Sequence, residues 1–228
     1  THMSAGTLAA AYRSAGAAVR AVDVVMSGEA QSAFAAVRPP GHHAERETAM
    51  GFCFFGNVAI AAKYALDHHG LDRVAIVDFD VHHGNGTQDL VEDDPRILFI
   101  STHQSPLYPG TGAAHETGVG NVLNVPLPEA TGSAAYRAMF ENAVLPRLAA
   151  FKPQFLIISA GFDAHSSDPL AGMELTTEDF SWVTGQLCDV ADAHCNGRVV
   201  SCLEGGYDLD ALGASAAAHV RVLEERGR

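Results

Sequence analysis

The stretch Asp78-Phe79-Asp80-Val81-His82-His83 sets two carboxylates and an imidazole at alternate positions. Alternate side chains share a side in extended chain, so Asp78, Asp80 and His82 face one way and Phe79 and Val81 the other. Such a charged row at the end of a buried strand is costly without a counter-charge, which a divalent cation would supply. Asp163 follows another apolar run and could complete the set as a third ligand. Two carboxylate oxygens and one imidazole nitrogen leave positions open for water and substrate, as in catalytic metal sites. The competing reading is a structural Asp–His network capping strand ends; Asp163 and the clusters below weigh for a metal. The donor set suits zinc, and Fe(II), Co(II) or Mn(II) also fit.

A water acidified by a metal needs a base, and a leaving amine needs an acid. His42 and His43 are consecutive and follow Pro39-Pro40-Gly41, a turn-forming run that can aim both rings at one site. Asp78 and Asn85 are candidates to orient the two rings. Tyr207 follows two glycines, which allow a sharp turn and close approach to a ligand, and its hydroxyl could donate to a developing oxyanion. Against these stand ordinary solvated loop histidines and an amphipathic tyrosine at a loop edge. Gly84-Asn85-Gly86 and Gly110-Thr111-Gly112 lack the G-K-[ST] of a phosphate loop and read as turns.

These groups need a scaffold that brings them together. Strand patterns run over 32–37, 74–79, 97–102, 122–125, 155–160 and 199–203, and helical patterns over 8–26, 54–69, 134–151, 177–194 and 209–225. Near-continuous apolar strands separated by helices predict an α/β fold of three layers, a mostly parallel sheet with helices on both faces. Each polar cluster falls just past the carboxyl end of a predicted strand, the edge where open α/β sheets bind ligands.

The 228 residues are 47% hydrophobic and 18% charged, with a formal net charge of −13. That acidity argues against a nucleic-acid partner and is compatible with drawing in cationic substrates, although solubility alone would also explain it. No apolar run reaches the ~20 residues of a membrane span, so no membrane role is expected. Cys53, Cys188, Cys195 and Cys202 form no C-x-x-C pair. They read as reduced thiols of a cytoplasmic protein. Thr1-His2-Met3 reads as a cloning remnant, leaving 4–228 as one domain.

Taken together, the motifs RPPGHHAE (38–45), GFCFFGNVAIA (51–61), VDFDVHHGNGTQ (77–88), YPGTG (108–112), SAGFDAHSSDPL (159–170) and LEGGYDL (203–209) resemble the histone deacetylase family on the arginase/deacetylase fold. Their wording is closer to class II and bacterial deacetylase-like amidohydrolases than to class I enzymes. The resemblance implies deacetylation of acetyl-lysine, with zinc on Asp80, His82 and Asp163 and with His43 as general base and acid. It pairs His42 with Asp78, and His43 with Asn85, where class I enzymes more often have Asp. It makes Tyr207 the carbonyl-polarising group. It sets Gly51, Phe52 and Tyr108 along a substrate channel and Leu170 at its rim. A structural potassium ion is implied at Asp78, Asp80, His82, Ser101 and Thr102. Leu170 favours an acetylated lysine peptide or protein over an acetylated small amine such as an acetylpolyamine, for which an acidic rim residue would be expected.

Family members carry a further N-terminal segment before the first helix, so the resemblance also implies a domain short on that side. Its loss would expose a strand edge, with homo-oligomerisation as a consequence. A non-catalytic, metal-containing fragment that binds acetylated ligands is then the alternative of another class. Arginase-like chemistry would want more bridging carboxylates than these motifs supply.

Overall fold

In the computed structural model, residues 1–227 are described. Six strands form one sheet: β1 (Ser32–Ala35), β2 (Val74–Asp78), β3 (Ile97–Gln104), β4 (Val122–Leu127), β5 (Phe155–Ala160) and β6 (Val199–Leu203). All neighbours pair parallel, in the order β1-β6-β5-β2-β3-β4. Seven α-helices accompany it among the described residues: α1 (Thr7–Met26), α2 (Asn57–Asp67), α3 (Asn85–Val91), α4 (Ser133–Met139), α5 (Leu145–Phe151), α6 (Thr177–His194) and α7 (Leu209–Arg226).

Both sheet faces are buried, which is why the strands are apolar at successive positions rather than alternating. Val74 and Ile76 of β2 pack with Ala18, Val22 and Ala61 of α1 and α2 on one face. Ala75 and Val77 pack with Phe140, Phe180 and Leu187 on the other, where α4 to α7 lie. The expected three-layer α/β architecture is what the chain adopts.

Two local expectations differ. The predicted helix over 134–151 is interrupted by a π-helical turn, Phe140–Val144, between α4 and α5. Pro146 lacks an N–H, and its ring would clash with the carbonyl four residues back in an unbroken α-helix, so a widened turn absorbs it. Gly84-Asn85-Gly86 is not a free turn but the start of α3. A Cβ on Gly86 would lie 2.5 Å from the Ala44 backbone nitrogen, so this glycine serves close approach. The Thr87 N–H then donates to the His42 carbonyl, joining α3 to the His42-His43 turn.

The chain moves outward from β2 through β3 to β4, then returns to place β5 on the other side of β2. The strand order reverses between β2 and β5, and a ligand crevice is expected above their carboxyl ends. Asp78 is level there with Ser159 on β5 and with Ser101 on β3.

His219 of α7 ties the far face together. Thr184 Oγ1 donates to the Phe180 carbonyl, so it accepts from His219 Nδ1 at 2.7 Å, while Ser201 Oγ lies 2.8 Å from Nε2. Burial pulls the ring from its ordinary 6.5 down to about 3. Between those values the unfolded chain binds the proton and the folded one does not, so stability falls as pH falls through that window. Urea unfolding of the wild type should lose about 2 kcal/mol from this group between pH 7 and pH 5. His219→Gln should remove that part of the slope, and an unchanged slope would rule the assignment out.

Candidate active site

The crevice holds a dense group of buried charge. His82 Nδ1 lies 3.0 Å from Asp80 Oδ1 and 3.1 Å from Asp163 Oδ2. The three ligand atoms lie within 4.8 Å of one another, and all three residues are buried. The remaining lone pairs are directed by backbone. The Gly205 N–H donates to Asp80 Oδ2 at 2.8 Å, and the Val81 N–H to Asp163 Oδ1 at 2.9 Å. A Cβ on Gly205 would lie 2.5 Å from Asp80 Oδ2, so glycine is needed for that approach. Burial and the charge of Asp80 raise Asp163 to about 6. Burial opposes ionisation of Asp80 too, but the charges of His42 and His82 hold it below the ordinary carboxylate range. Burial also works against protonated His82, yet Asp163 and Asp80 lift it to about 10. Two buried carboxylates converging on one imidazole nitrogen form a donor set that fits a divalent cation such as zinc.

A second group that could hold an ion, Asp23 with His68 and His69, lies on the surface. Asp23 Oδ1 already accepts from Tyr64 Oη and His69 Nε2, each at 2.9 Å, so protein groups engage that oxygen and one of the two imidazoles.

His42 and His43 stand beside the buried cluster with ring centroids 4.0 Å apart. His42 Nδ1 is 3.0 Å from Asp78 Oδ2, and His43 Nδ1 is 2.7 Å from Asn85 Oδ1. The two rings differ electrostatically. Burial disfavours charge on His42, but Asp80 and Asp78 overcome it and hold the ring protonated well above 6.5. Burial and the neighbouring His42 charge push His43 down to about 3, so its ring is neutral at physiological pH. Burial raises Asp78 to about 6, moderated by His42.

The turn carrying both rings is pinned by a residue that the sequence reading passed over. Glu204, fully buried at the end of β6, accepts from the backbone N–H groups of Gly41 at 2.7 Å and His42 at 3.1 Å. Burial raises its carboxyl to about 7. Asp168 was also passed over. It accepts from the Leu170 N–H at 3.0 Å and the Tyr207 N–H at 2.8 Å, joining two rim segments. Neither residue sits in a spaced pattern; a carboxylate next to Gly205-Gly206 was the available signal for Glu204.

A cavity of about 560 Å³ opens above this group, with His43 and His82 at its base and Phe52, Tyr108, Leu170 and Tyr207 on its walls. Thr1 and His2 lie at its mouth, where the Phe52 N–H donates to Thr1 Oγ1. Phe52, Tyr108 and Leu170 are 54%, 45% and 49% exposed, so they are wall and rim rather than core. Phe52 adopts φ of +66°, an uncommon conformation for an aromatic residue, next to Gly51 at +51°. A Cβ on Gly51 would lie 2.6 Å from His43 Cγ and closer still to Cδ2, so its absence allows the wall to close onto that imidazole. Burial and the charges of Asp80 and Asp163 raise the Tyr207 hydroxyl above its ordinary range, keeping it an O–H donor.

Ser101 and Thr102 are buried where β3 passes Asp78. Their hydroxyls already have partners: Ser101 Oγ lies 3.0 Å from His103 Nδ1, and Thr102 Oγ1 lies 3.1 Å from Tyr136 Oη. The four cysteines are free and buried. No helix among the described residues is long and apolar enough to cross a membrane.

Comparison with known proteins places this arrangement. A histone deacetylase domain profile matches residues 1–223. Histone deacetylase 10, chloroplastic, of Oryza sativa subsp. japonica is 48% identical over 226 residues, covering 95% of this chain and 51% of that protein. The histone deacetylase-like amidohydrolase of Pseudomonas aeruginosa is 44% identical over 207 residues, covering 89% and 54%. The crystal structure of the HDA15 HD domain superposes with a TM-score of 0.89 at 44% identity, covering 94% of this chain and 62% of that one. The chain thus spans about half the length of these two curated relatives. On a family match across nearly its whole length, the chain belongs to the histone deacetylase family.

Proposed function

We propose that the protein is a zinc-dependent deacetylase that hydrolyses the amide of acetyl-lysine in a peptide or protein. The observation that carries this reading is the meeting of a neutral histidine, a donor set for a divalent ion and a tyrosine hydroxyl around one cavity with apolar walls. Asp80, His82 and Asp163 would hold the ion, which when bound supplies Lewis acidity towards a carbonyl oxygen and makes water more acidic. Fe(II) or Co(II) would fit the same donors.

The chain's own groups account for the remaining work. His43, with Nδ1 engaged by Asn85, presents Nε2 to take a proton from the attacking water and to return it to the leaving amine. His42, charged between Asp78 and Asp80, stabilises negative charge developing beside it. Tyr207 donates its hydroxyl hydrogen to the oxyanion that forms as the carbonyl carbon becomes tetrahedral. Phe52 and Tyr108 flank the aliphatic arm of the substrate, Gly51 lets that wall approach His43, and apolar Leu170 at the rim suits a lysine side chain over a second cationic group. Asp78, Asp80, His82, Ser101 and Thr102, several of them through backbone carbonyls, would hold a structural potassium ion in this reading, which the meeting of β2 and β3 there supports. The free, buried thiols support a reducing compartment.

Acetate release from an acetyl-lysine peptide, by protein stripped of metal and then reloaded with zinc, tests the proposal. Turnover that disappears on stripping and returns with zinc is expected. A folded, zinc-loaded protein that releases acetate only from acetylpolyamines would transfer the reading to small amides. No release from either substrate would leave a non-catalytic binding role.

A further inference from the structure

The partner of His43 is an amide, and an amide has two ends. Asn85 Oδ1 lies 2.7 Å from His43 Nδ1, while Nδ2 donates to Glu45 Oε1 at 2.7 Å and to Met50 Sδ at 3.3 Å. Carboxylate oxygen and thioether sulfur accept hydrogen bonds and donate none. Turning the amide over would set Asn85 Oδ1 against Glu45 Oε1, acceptor against acceptor. It would also aim Nδ2 at His43 Nδ1, which would then have to accept. The ring proton would move to Nε2, the nitrogen that has no hydrogen-bond partner among the described residues and is left to the cavity. A histidine in that tautomer cannot take a proton at Nε2.

We propose that Glu45 is a positioning residue that fixes the Asn85 amide, and through it the tautomer that leaves the His43 Nε2 lone pair free. Glu45 is two residues beyond His43, and its N–H donates to the Thr48 carbonyl at 3.0 Å, so one loop sets both ends of the relay. Asparagine as the partner of a base makes such a lock necessary, because an aspartate would accept from His43 whichever way it turned. The proposal rests on the hydrolytic reading only in calling Nε2 the base; the amide and tautomer assignments are independent of it.

Charge reversal gives the test. In Glu45→Lys the new ammonium only donates, so Asn85 must turn its Oδ1 towards it and its Nδ2 towards His43. Turnover of an acetyl-lysine peptide should fall about 10–100-fold with KM nearly unchanged. Adding Asn85→Asp should restore it, because the aspartate accepts from the introduced ammonium and from His43 together; recovery to within about threefold of the wild type is expected, while Asn85→Asp alone sets two carboxyls face to face and is impaired. Imidazole ¹⁵N correlation spectra give a readout separate from activity: His43 carries its proton on Nδ1 in the wild type and in the double variant, and on Nε2 in Glu45→Lys. Should Glu45→Lys fail to fold, Glu45→Ala gives the milder outcome, a mixture of both tautomers. Full retention of the Nδ1 proton in Glu45→Lys, or in Glu45→Ala with no Nε2-protonated form appearing, or a double variant no more active than Glu45→Lys, overturns the proposal. A wild type without turnover but with the expected spectra would count against the hydrolytic reading alone.

Discussion

Asp163→Asn is expected to reduce acetate release to background, a loss of at least about 10³-fold, while the protein stays folded. Asparagine keeps the shape and the oxygen that accepts from the Val81 N–H, so the backbone of that loop has no reason to move. What disappears is a charge. Asp80 and Asp163 approach His82 Nδ1 from two sides, and their combined negative charge is what the site offers a divalent ion. A neutral amide is a far weaker ligand than a carboxylate for zinc in a mixed oxygen and nitrogen site. Two measurements separate loss of metal from loss of fold. Metal analysis should find less than one zinc per chain in the variant after dialysis. Added zinc should raise the thermal midpoint of the stripped wild type, because a ligand that binds only the folded state stabilises it, and should leave that of Asp163→Asn where it was. A variant that retains full zinc and full turnover would show that Asp163 is not a ligand.

Tyr207→Phe should lower kcat about 10²–10³-fold, the usual effect of removing one oxyanion donor, with little change in KM or zinc content. The substitution removes one oxygen and keeps the ring that packs beside Phe52 at 6.3 Å between centroids. Among the described residues no acceptor holds the hydroxyl elsewhere, and burial among negative charges prevents its ionisation. It is therefore a donor reserved for the cavity. Its loop is held through the Asp168 contact to the Tyr207 backbone N–H, which phenylalanine leaves intact. Steady-state kinetics on an acetyl-lysine peptide read the effect. A rise in KM at unchanged kcat would instead make Tyr207 a wall of the cavity and no more, and full activity would remove it from the mechanism.

These two residues show how much of the site can be read from the chain. Local order was legible because it repeats at short range. The apolar runs of β2, β3 and β5 declare a sheet buried on both faces, and the D-x-D-x-H spacing turns Asp80 and His82 to one side and Phe79 and Val81 into the core. The polar clusters after successive strands share an edge for the same reason: parallel strands all end on one side. The widened turn before Pro146 follows from the proline itself, which apolar spacing over 134–151 does not register, whereas at Gly86 a neighbour decides the outcome, close packing on Ala44. Only the tertiary structure decided the rest. That β5 returns beside β2 is a matter of strand order, and it is what brings Asp163 to His82. Glu204, Asp168 and Glu45 stand inside the motifs at 203–209, 159–170 and 38–45, but nothing in those motifs names their partners. Each is a single carboxylate whose partners, the backbone of Gly41, the backbone of Tyr207 and the amide of Asn85, lie on other segments of the chain. Periodicity records which side of an element a residue faces, but hydrogen bonds between distant segments depend on how the elements are assembled, and that information is spread over the whole core.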